Sequence, residues 1–196
     1  MKIRVLLVLS LMLVQLYPAE LQARGFEKYK EHTEYDPYFR KYSKRFFGVG
    51  FDWHYFKAQA IAESNLNPNA ESWVGAQGIM QIMPRTFDEI SRKSKLVMDV
   101  PTEPRWNIAA GIWYNKQQFD YWQKGRGLEE RLKFMYGSYN TGRGNLLKAQ
   151  RQAIDNGLNP RQWDSMHRAL PLVTGRHSTE TLNYVERIFE IKEAIK

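Results

Sequence analysis

The sequence predicts a mainly α-helical protein, folded as a single helical domain with one small loop/β insertion in its first half. Three observations carry this. Apolar residues recur at steps of three and four from Asp36 to Ile195. Pro, Gly and Asn punctuate those periodic segments instead of gathering into linkers, and no repeat or low-complexity tract interrupts them. Among 196 residues, 43% are apolar and 14% aromatic, enough for a packed core.

Residues 1–23 read as a secretory leader. Lys2 and Arg4 give a basic start, and Val5–Leu16 is apolar except for Ser10 and Gln15. That run is short for a membrane span. Leu21-Gln22-Ala23 is an imperfect cleavage site because Leu21 is large, so cleavage after Ala23 is expected and an uncleaved anchor is the alternative. Residues 24–196 form the mature domain, expected in the periplasm or cell envelope, with peripheral membrane association left open. The sequence has no cysteine, which excludes disulfides and a lipid carried on cysteine.

Phe39, Tyr42 and Phe46 follow helical spacing after Asp36-Pro37, and Gly48 and Gly50 end that helix. Asp52 is placed to cap a helix that runs to about Ser64, where Asn67-Pro68-Asn69 breaks the pattern. Residues 71–83 are irregular, with a short extended piece at Ile79–Ile82. Pro84 opens the next helix at its first position, where the missing N–H costs nothing. Asn107 is placed to cap a helix with the stripe Ile108, Ile112, Phe119 and Trp122. Further helices are expected over Glu129–Tyr139, Asn145–Asn156 and Pro160–Leu170, the last ended by Pro171. A final helix follows Thr179 and carries Val185, Ile188, Phe189 and Ile195.

Within Asp52–Ser64, the stripe Trp53, Phe56, Ala60 continues at the next step of three onto Glu63. A carboxyl on the apolar side of a helix is partly desolvated, which favours its neutral form and makes a proton donor near neutral pH. A stripe-edge Glu is also a common structural feature, so spacing alone leaves Glu63 a candidate.

Its surroundings are more specific. Glu63-Ser64 is followed by Ser72, Gly75-Ala76 and Gly78-Ile79-Met80-Gln81-Ile82-Met83-Pro84, then by Tyr136-Gly137-Ser138-Tyr139-Asn140-Thr141-Gly142 and Glu180-Thr181-Leu182-Asn183-Tyr184-Val185. In this order and at these distances the motifs resemble the lytic transglycosylases with an SLT-type catalytic domain. Asp52-Trp53 leading into Ala58-Gln59-Ala60 suggests the catalytic module of the membrane-bound lytic transglycosylase F group. The resemblance covers about residues 36–195 and implies a lysozyme-like, goose-type helical domain.

It also implies roles. Glu63 is the catalytic acid and base that cuts the β-1,4 bond between N-acetylmuramic acid and N-acetylglucosamine. The muramic acid 6-hydroxyl then attacks its own C1, giving a 1,6-anhydro end without water. Ser72, Gln81, Met83, Tyr139, Asn140 and Tyr184 bind the glycan, with Tyr139 expected against the catalytic carboxyl or the sugar beside it. Ser72 reads equally as a loop-capping serine, Asn140 as a helix C-cap, and Met80 as core. Trp73 is a further sugar-stacking candidate, whereas Trp113 and Trp122 read as core. The sequence departs from the family where Phe134, Met135 and Tyr136 replace small residues and Thr141 replaces Ala, changes that bear on packing and groove shape.

The partners implied are peptidoglycan glycan strands, bound by a monomer. His32, His54, His167 and His177 show no metal spacing, so no metal or cofactor is expected. The net charge of +8 draws the chain to polyanions without choosing among them. Nucleic-acid binding lacks a motif. Two rivals stand beside transglycosylation: a hydrolytic muramidase using the same Glu63, and a non-enzymatic wall-binding protein.

Overall fold

The computed structural model describes residues 25–94 and 100–196. The leader expected over 1–23 lies outside the described residues. Nine α-helices follow one another among those residues: α1 (Asp36–Phe47), α2 (His54–Ser64), α3 (Pro84–Lys93), α4 (Pro104–Tyr121), α5 (Leu128–Thr141), α6 (Arg143–Asp155), α7 (Asp164–Ala169), α8 (Pro171–Thr174) and α9 (Ser178–Ile195). Short 3-10 turns occupy Glu27–Lys30 and Gly175–His177. The insertion between α2 and α3 holds no strand. Its extended character is confined to two isolated antiparallel bridges, Glu71 with Gln77 and Gln77 with Ile82.

Helix α2 lies along α9 and is crossed by α1, while α4 packs against α1 and α5, and α5 against α9 and α6. Phe56 through Ile61 of α2 are all buried, so no face of its middle turns is solvated. The one-sided stripe expected for this segment is therefore too narrow a description. Two polar residues that flank the stripe on either side are buried with it. Lys57 pairs with Asp36 of α1 at 2.8 Å and donates to the His32 carbonyl at 2.8 Å. A charge taken out of water survives only with such partners, and these tie the N-terminal segment and α1 to α2. The other residue, Gln59, belongs to the site.

The helix ends follow their caps. Helix α2 begins at His54, one residue later than an Asp52 cap requires, yet the Asp52 carboxylate still accepts the His54 N–H at 3.0 Å and meets the His54 ring at 2.6 Å. At its other end Asn65 takes the left-handed conformation, φ 55°. Asn107 is not a cap. Helix α4 starts three residues earlier at Pro104, and Glu103 caps it by accepting the Trp106 N–H at 3.2 Å. The helix expected over Pro160–Leu170 spans Asp164–Ala169, and Pro171, just past its end, also opens α8, because the first helical turn does not need its N–H. The large residues Phe134, Met135 and Tyr136 are wholly buried in α5, with the Tyr136 hydroxyl donating to the Tyr55 carbonyl at 3.1 Å.

Candidate active site

Glu63 occupies the last turn of α2, half-buried, beside the start of the irregular loop. The Tyr184 hydroxyl of α9 donates to Glu63 Oε1 at 2.5 Å. Burial pushes the Glu63 carboxyl up to about 8, against the Tyr184 hydrogen bond, which favours the ionised form; the Glu180 charge adds to the rise. At neutral pH Glu63 is thus mostly a carboxylic acid. Because Oε1 accepts from Tyr184, the acid proton falls to Oε2, which has no hydrogen-bond partner among the described residues.

Tyr184 is itself held from behind. Asn115 of α4 donates from Nδ2 to Gln59 Oε1 at 2.6 Å, and Gln59 donates from Nε2 to the Tyr184 hydroxyl at 3.0 Å. Gln59 and Asn115 are fully buried. The chain of bonds has one direction. Asn115 engages the Gln59 oxygen, so the Gln59 amino group must face Tyr184; the Tyr184 oxygen then accepts, and its own proton must point at Glu63. Burial and the nearby Glu63 charge raise the Tyr184 hydroxyl well above the ordinary tyrosine range, so it remains a donor.

On the opposite side, residues 70–83 form a loop closed on itself. Gly78 N–H donates to the Ala70 carbonyl at 2.9 Å, and Gln77 and Ile82 exchange both backbone bonds at 3.0 Å. Gly78 has φ +75°, and a Cβ there would lie 2.6 Å from Asn107 Nδ2, so only glycine fits. Asn107 fastens the loop from α4. Its Oδ1 accepts the Met80 N–H at 2.7 Å, and its Nδ2 donates to the carbonyls of Gln77 at 3.0 Å and Pro101 at 2.7 Å. Ser64, next to Glu63, donates to the Ile79 carbonyl at 2.8 Å and so links the end of α2 to the same loop.

The residues singled out in the sequence gather around Glu63 unequally. Tyr184, not Tyr139, contacts its carboxyl; the Tyr139 hydroxyl donates to the Met80 carbonyl at 2.7 Å, although the Glu63 charge still reaches it. Ser72 Oγ accepts the Ala76 N–H at 2.9 Å, a loop-capping contact. Gln81, at φ +46°, donates from Nε2 to the carbonyls of Ala70 at 3.1 Å and Gly78 at 2.9 Å, leaving its Oε1 for other donors. Asn140 lies within α5 near its end and accepts from Thr181 Oγ1 at 2.7 Å, which joins α5 to α9 behind the site. Met80 is core, whereas Met83 is 41% and Trp73 97% exposed. Trp122 is buried, with Nε1 donating to Ser138 at 2.7 Å, and Trp113 is half-buried.

The sequence reading gave Gln59, Asn115 and Asn107 no role at the site. The signal available for Gln59 and Asn115 was a polar residue inside a helix with too little polar surface to spare; nothing in the sequence pairs them.

A family model described as the transglycosylase SLT domain matches residues 38–160. Among curated relatives, the membrane-bound lytic murein transglycosylase F of Desulfosudis oleivorans is 30% identical over 161 residues, covering 75% of this chain and 34% of that protein. The corresponding protein of Shewanella pealeana is 30% identical over 77% of this chain and 29% of its own length. The chain therefore spans about a third of the curated relatives it matches. Among solved structures, the 70 kDa soluble lytic transglycosylase SLT70 from Escherichia coli superposes with a TM-score of 0.63 at 24% identity, covering 83% of this chain and 24% of that one. That last likeness is one of fold, a lysozyme-like helical domain.

Proposed function

We propose, from the premise that this chain belongs to the transglycosylase SLT domain family, that it is a peptidoglycan lytic transglycosylase with Glu63 as its single acid/base, exported to the cell envelope by residues 1–23. The observation that carries this reading is the Glu63 carboxyl at the end of α2, held by the Tyr184 hydroxyl at 2.5 Å and pushed up by burial to about 8.

The mechanism follows from that arrangement. With a pKa of about 8, Glu63 arrives as the acid and protonates the glycosidic oxygen between N-acetylmuramic acid and N-acetylglucosamine. The C1–O bond breaks, and the acetamido group of the same muramic acid residue can stabilise the positive charge that develops at C1. Glu63, now a carboxylate stabilised by the Tyr184 hydroxyl, removes the proton of the muramic acid 6-hydroxyl. That oxygen bonds to C1, leaving a 1,6-anhydro end and regenerating the acid. The substrate supplies the nucleophile, so the second carboxylate of an ordinary glycosidase has no task.

Ser72, Gln81, Met83, Tyr139 and Asn140 shape the groove, Gln81 with its free Oε1 and Met83 with its exposed side chain. Among the described residues, Glu180 is the carboxylate whose charge is felt at Glu63; it is exposed and accepts from Asn140 Nδ2 at 3.5 Å. Among the described residues it gives the hydrolytic reading its candidate for a second carboxylate. Mass spectrometry of digested peptidoglycan separates the two. Anhydro ends are expected, and they persist in Glu180→Gln; products heavier by one water, with no anhydro ends, would establish a muramidase.

A further inference from the structure

A recess of about 350 Å³ lies between α5, α7 and α9, set apart from the catalytic carboxyl. Glu186 and Glu190 on its rim follow Tyr184 by two and six positions, which turns them to the side of α9 away from Glu63. Its α5 residues, Glu129 and Lys133, belong to the first turns of that helix, whereas Tyr139 and Asn140 lie near the other end.

The rim is acidic on a chain whose net charge is +8. Four carboxylates, Glu129, Asp164, Glu186 and Glu190, stand against Lys133 and His167. Lys133 is taken by Glu129 at 2.5 Å, and His167 Nε2 reaches Glu186 at 3.4 Å. Asp164 and Glu190 have no ion-pair partner among the described residues.

The floor is apolar and holds an unmatched donor. Val185 is buried, Phe189 is half-buried and Trp163 is 3% exposed. The benzo end of the Trp163 indole abuts Gly137, where a Cβ would lie 2.5 Å from Cη2. The pyrrole end is left to the recess that Trp163 lines, and its Nε1 is buried with no hydrogen-bond partner. A buried indole N–H normally finds an acceptor, so this one signals a ligand that brings one.

We propose that this recess docks a basic segment of a protein partner. A Lys or Arg side chain lies over Val185 and Phe189 with its cation at Asp164 and Glu190, and a backbone carbonyl of the same segment accepts from Trp163 Nε1. The aliphatic stem of Lys or Arg suits an apolar floor beneath a charged rim. A polyamine supplies the cation without the carbonyl, and glycan strands or anionic polymers supply acceptors without the cation. A basic polypeptide brings both. Because the recess faces away from Glu63, the partner can hold the chain and leave the carboxyl open to substrate.

The test follows the Trp163 indole N–H resonance of the whole, isotope-labelled protein by NMR during titration with acetyl-trilysine amide. The resonance is expected to move downfield and saturate, and spermidine should leave it in place. In the double variant Asp164→Asn, Glu190→Gln, Kd for the peptide should rise about 5-fold, the loss of two exposed ion pairs. Muropeptide release from isolated peptidoglycan should stay at the unmutated rate in that variant. A resonance unmoved by the peptide, an equal shift with spermidine, or an unchanged Kd in the double variant would overturn the proposal. Self-association in sedimentation that the double variant abolishes would overturn it too, because the occupant would then be a second copy of the chain. A fall in muropeptide release would do the same by making the recess part of the glycan groove.

Discussion

On one side of Glu63, Tyr184, Gln59 and Asn115 join three helices through a buried line of hydrogen bonds. On the other, residues 70–83 fold into an irregular loop whose polar groups bond mostly to one another, while Trp73 and Met83 stand in solvent. The helical side has little freedom: each group fixes the orientation of the next and the last fixes Glu63. The loop side is rigid in its backbone and open in its side chains. Proton transfer depends on a pKa, which burial and a fixed donor can set. Recognition of a polymer depends on reachable surface, which a loop offers. The proposed division of labour can be broken by showing that helical-side changes alter only affinity, or that loop-side changes move the pH dependence.

The largest effect belongs to Glu63→Gln. Its turnover of peptidoglycan should fall by about two to four orders of magnitude, measured by the rate of muropeptide release. Its stability should change in the opposite sense at high pH. The folded carboxyl is raised from 4.5 to about 8, so the folded state holds its proton more tightly than the unfolded state. Wild-type stability is therefore full below about 4.5 and declines as pH rises towards 8. At about 1.4 kcal/mol per pH unit, the loss is of order 2–5 kcal/mol. The neutral Gln escapes it. Chemical denaturation should find the variant more stable than wild type at pH 9, and a wild-type advantage there would contradict a buried, raised carboxyl.

Tyr184→Phe comes next. It removes the donor that favours ionised Glu63, so the Glu63 pKa rises further and the alkaline limb of kcat/KM, expected near pH 8 in the wild type, moves to higher pH. The base step weakens, and kcat at neutral pH should fall roughly 10-fold, with KM little changed. Gln59→Met acts through Tyr184 and should move the limb the same way by less. It also strands the buried Asn115 Nδ2, costing about 1–3 kcal/mol of stability. The double variant with Asn115→Leu should recover part of that loss, because both partners are then apolar.

Gly78→Ala tests the loop side. The left-handed φ and the Cβ placed against Asn107 together force the loop off its anchor, so KM should rise several-fold while the pH limb stays where it was. A shifted limb would mean that the loop, and not the helical side, sets the Glu63 pKa.

The same two sides differ in how far they are legible in sequence. Helical spacing and breakers located the long helices, and the ordered motifs located Glu63, Ser72, Gln81, Tyr139 and Tyr184. Local patterns could not show that α2 is buried all round, because burial is decided by the helices packed against it. Lys57 and Gln59 are both buried and bonded there, which the stripe alone does not predict. Asn107 read as a cap because it precedes an apolar stripe. Helix α4 starts instead at Pro104 with Glu103 as its cap, which leaves Asn107 to hold the loop. Tyr184 and not Tyr139 bonds the carboxyl because the approach of α9 to the end of α2 decides which hydroxyl arrives. Contacts between residues 56 or more positions apart, as in the Asn115–Gln59 bond, carry no periodic signature.

The smallest effect is expected at Trp73, and it is the most discriminating. The side chain is 97% exposed, so its removal deletes almost no packing, and Trp73→Ala should leave the denaturation midpoint within about 0.5 kcal/mol of wild type. If the ring serves as a face for a sugar beside the cut, KM should rise a few-fold, and Trp73→Tyr should restore most of the affinity because an aromatic face, and not an indole N–H, is what stacks. The kcat/KM limb near pH 8 should not move, since nothing in the Asn115–Gln59–Tyr184–Glu63 line touches the residue. A drop in kcat with unchanged KM would place Trp73 among the groups that act in the transition state, and the separation between a proton-setting helical side and a sugar-holding loop side would fail at that point.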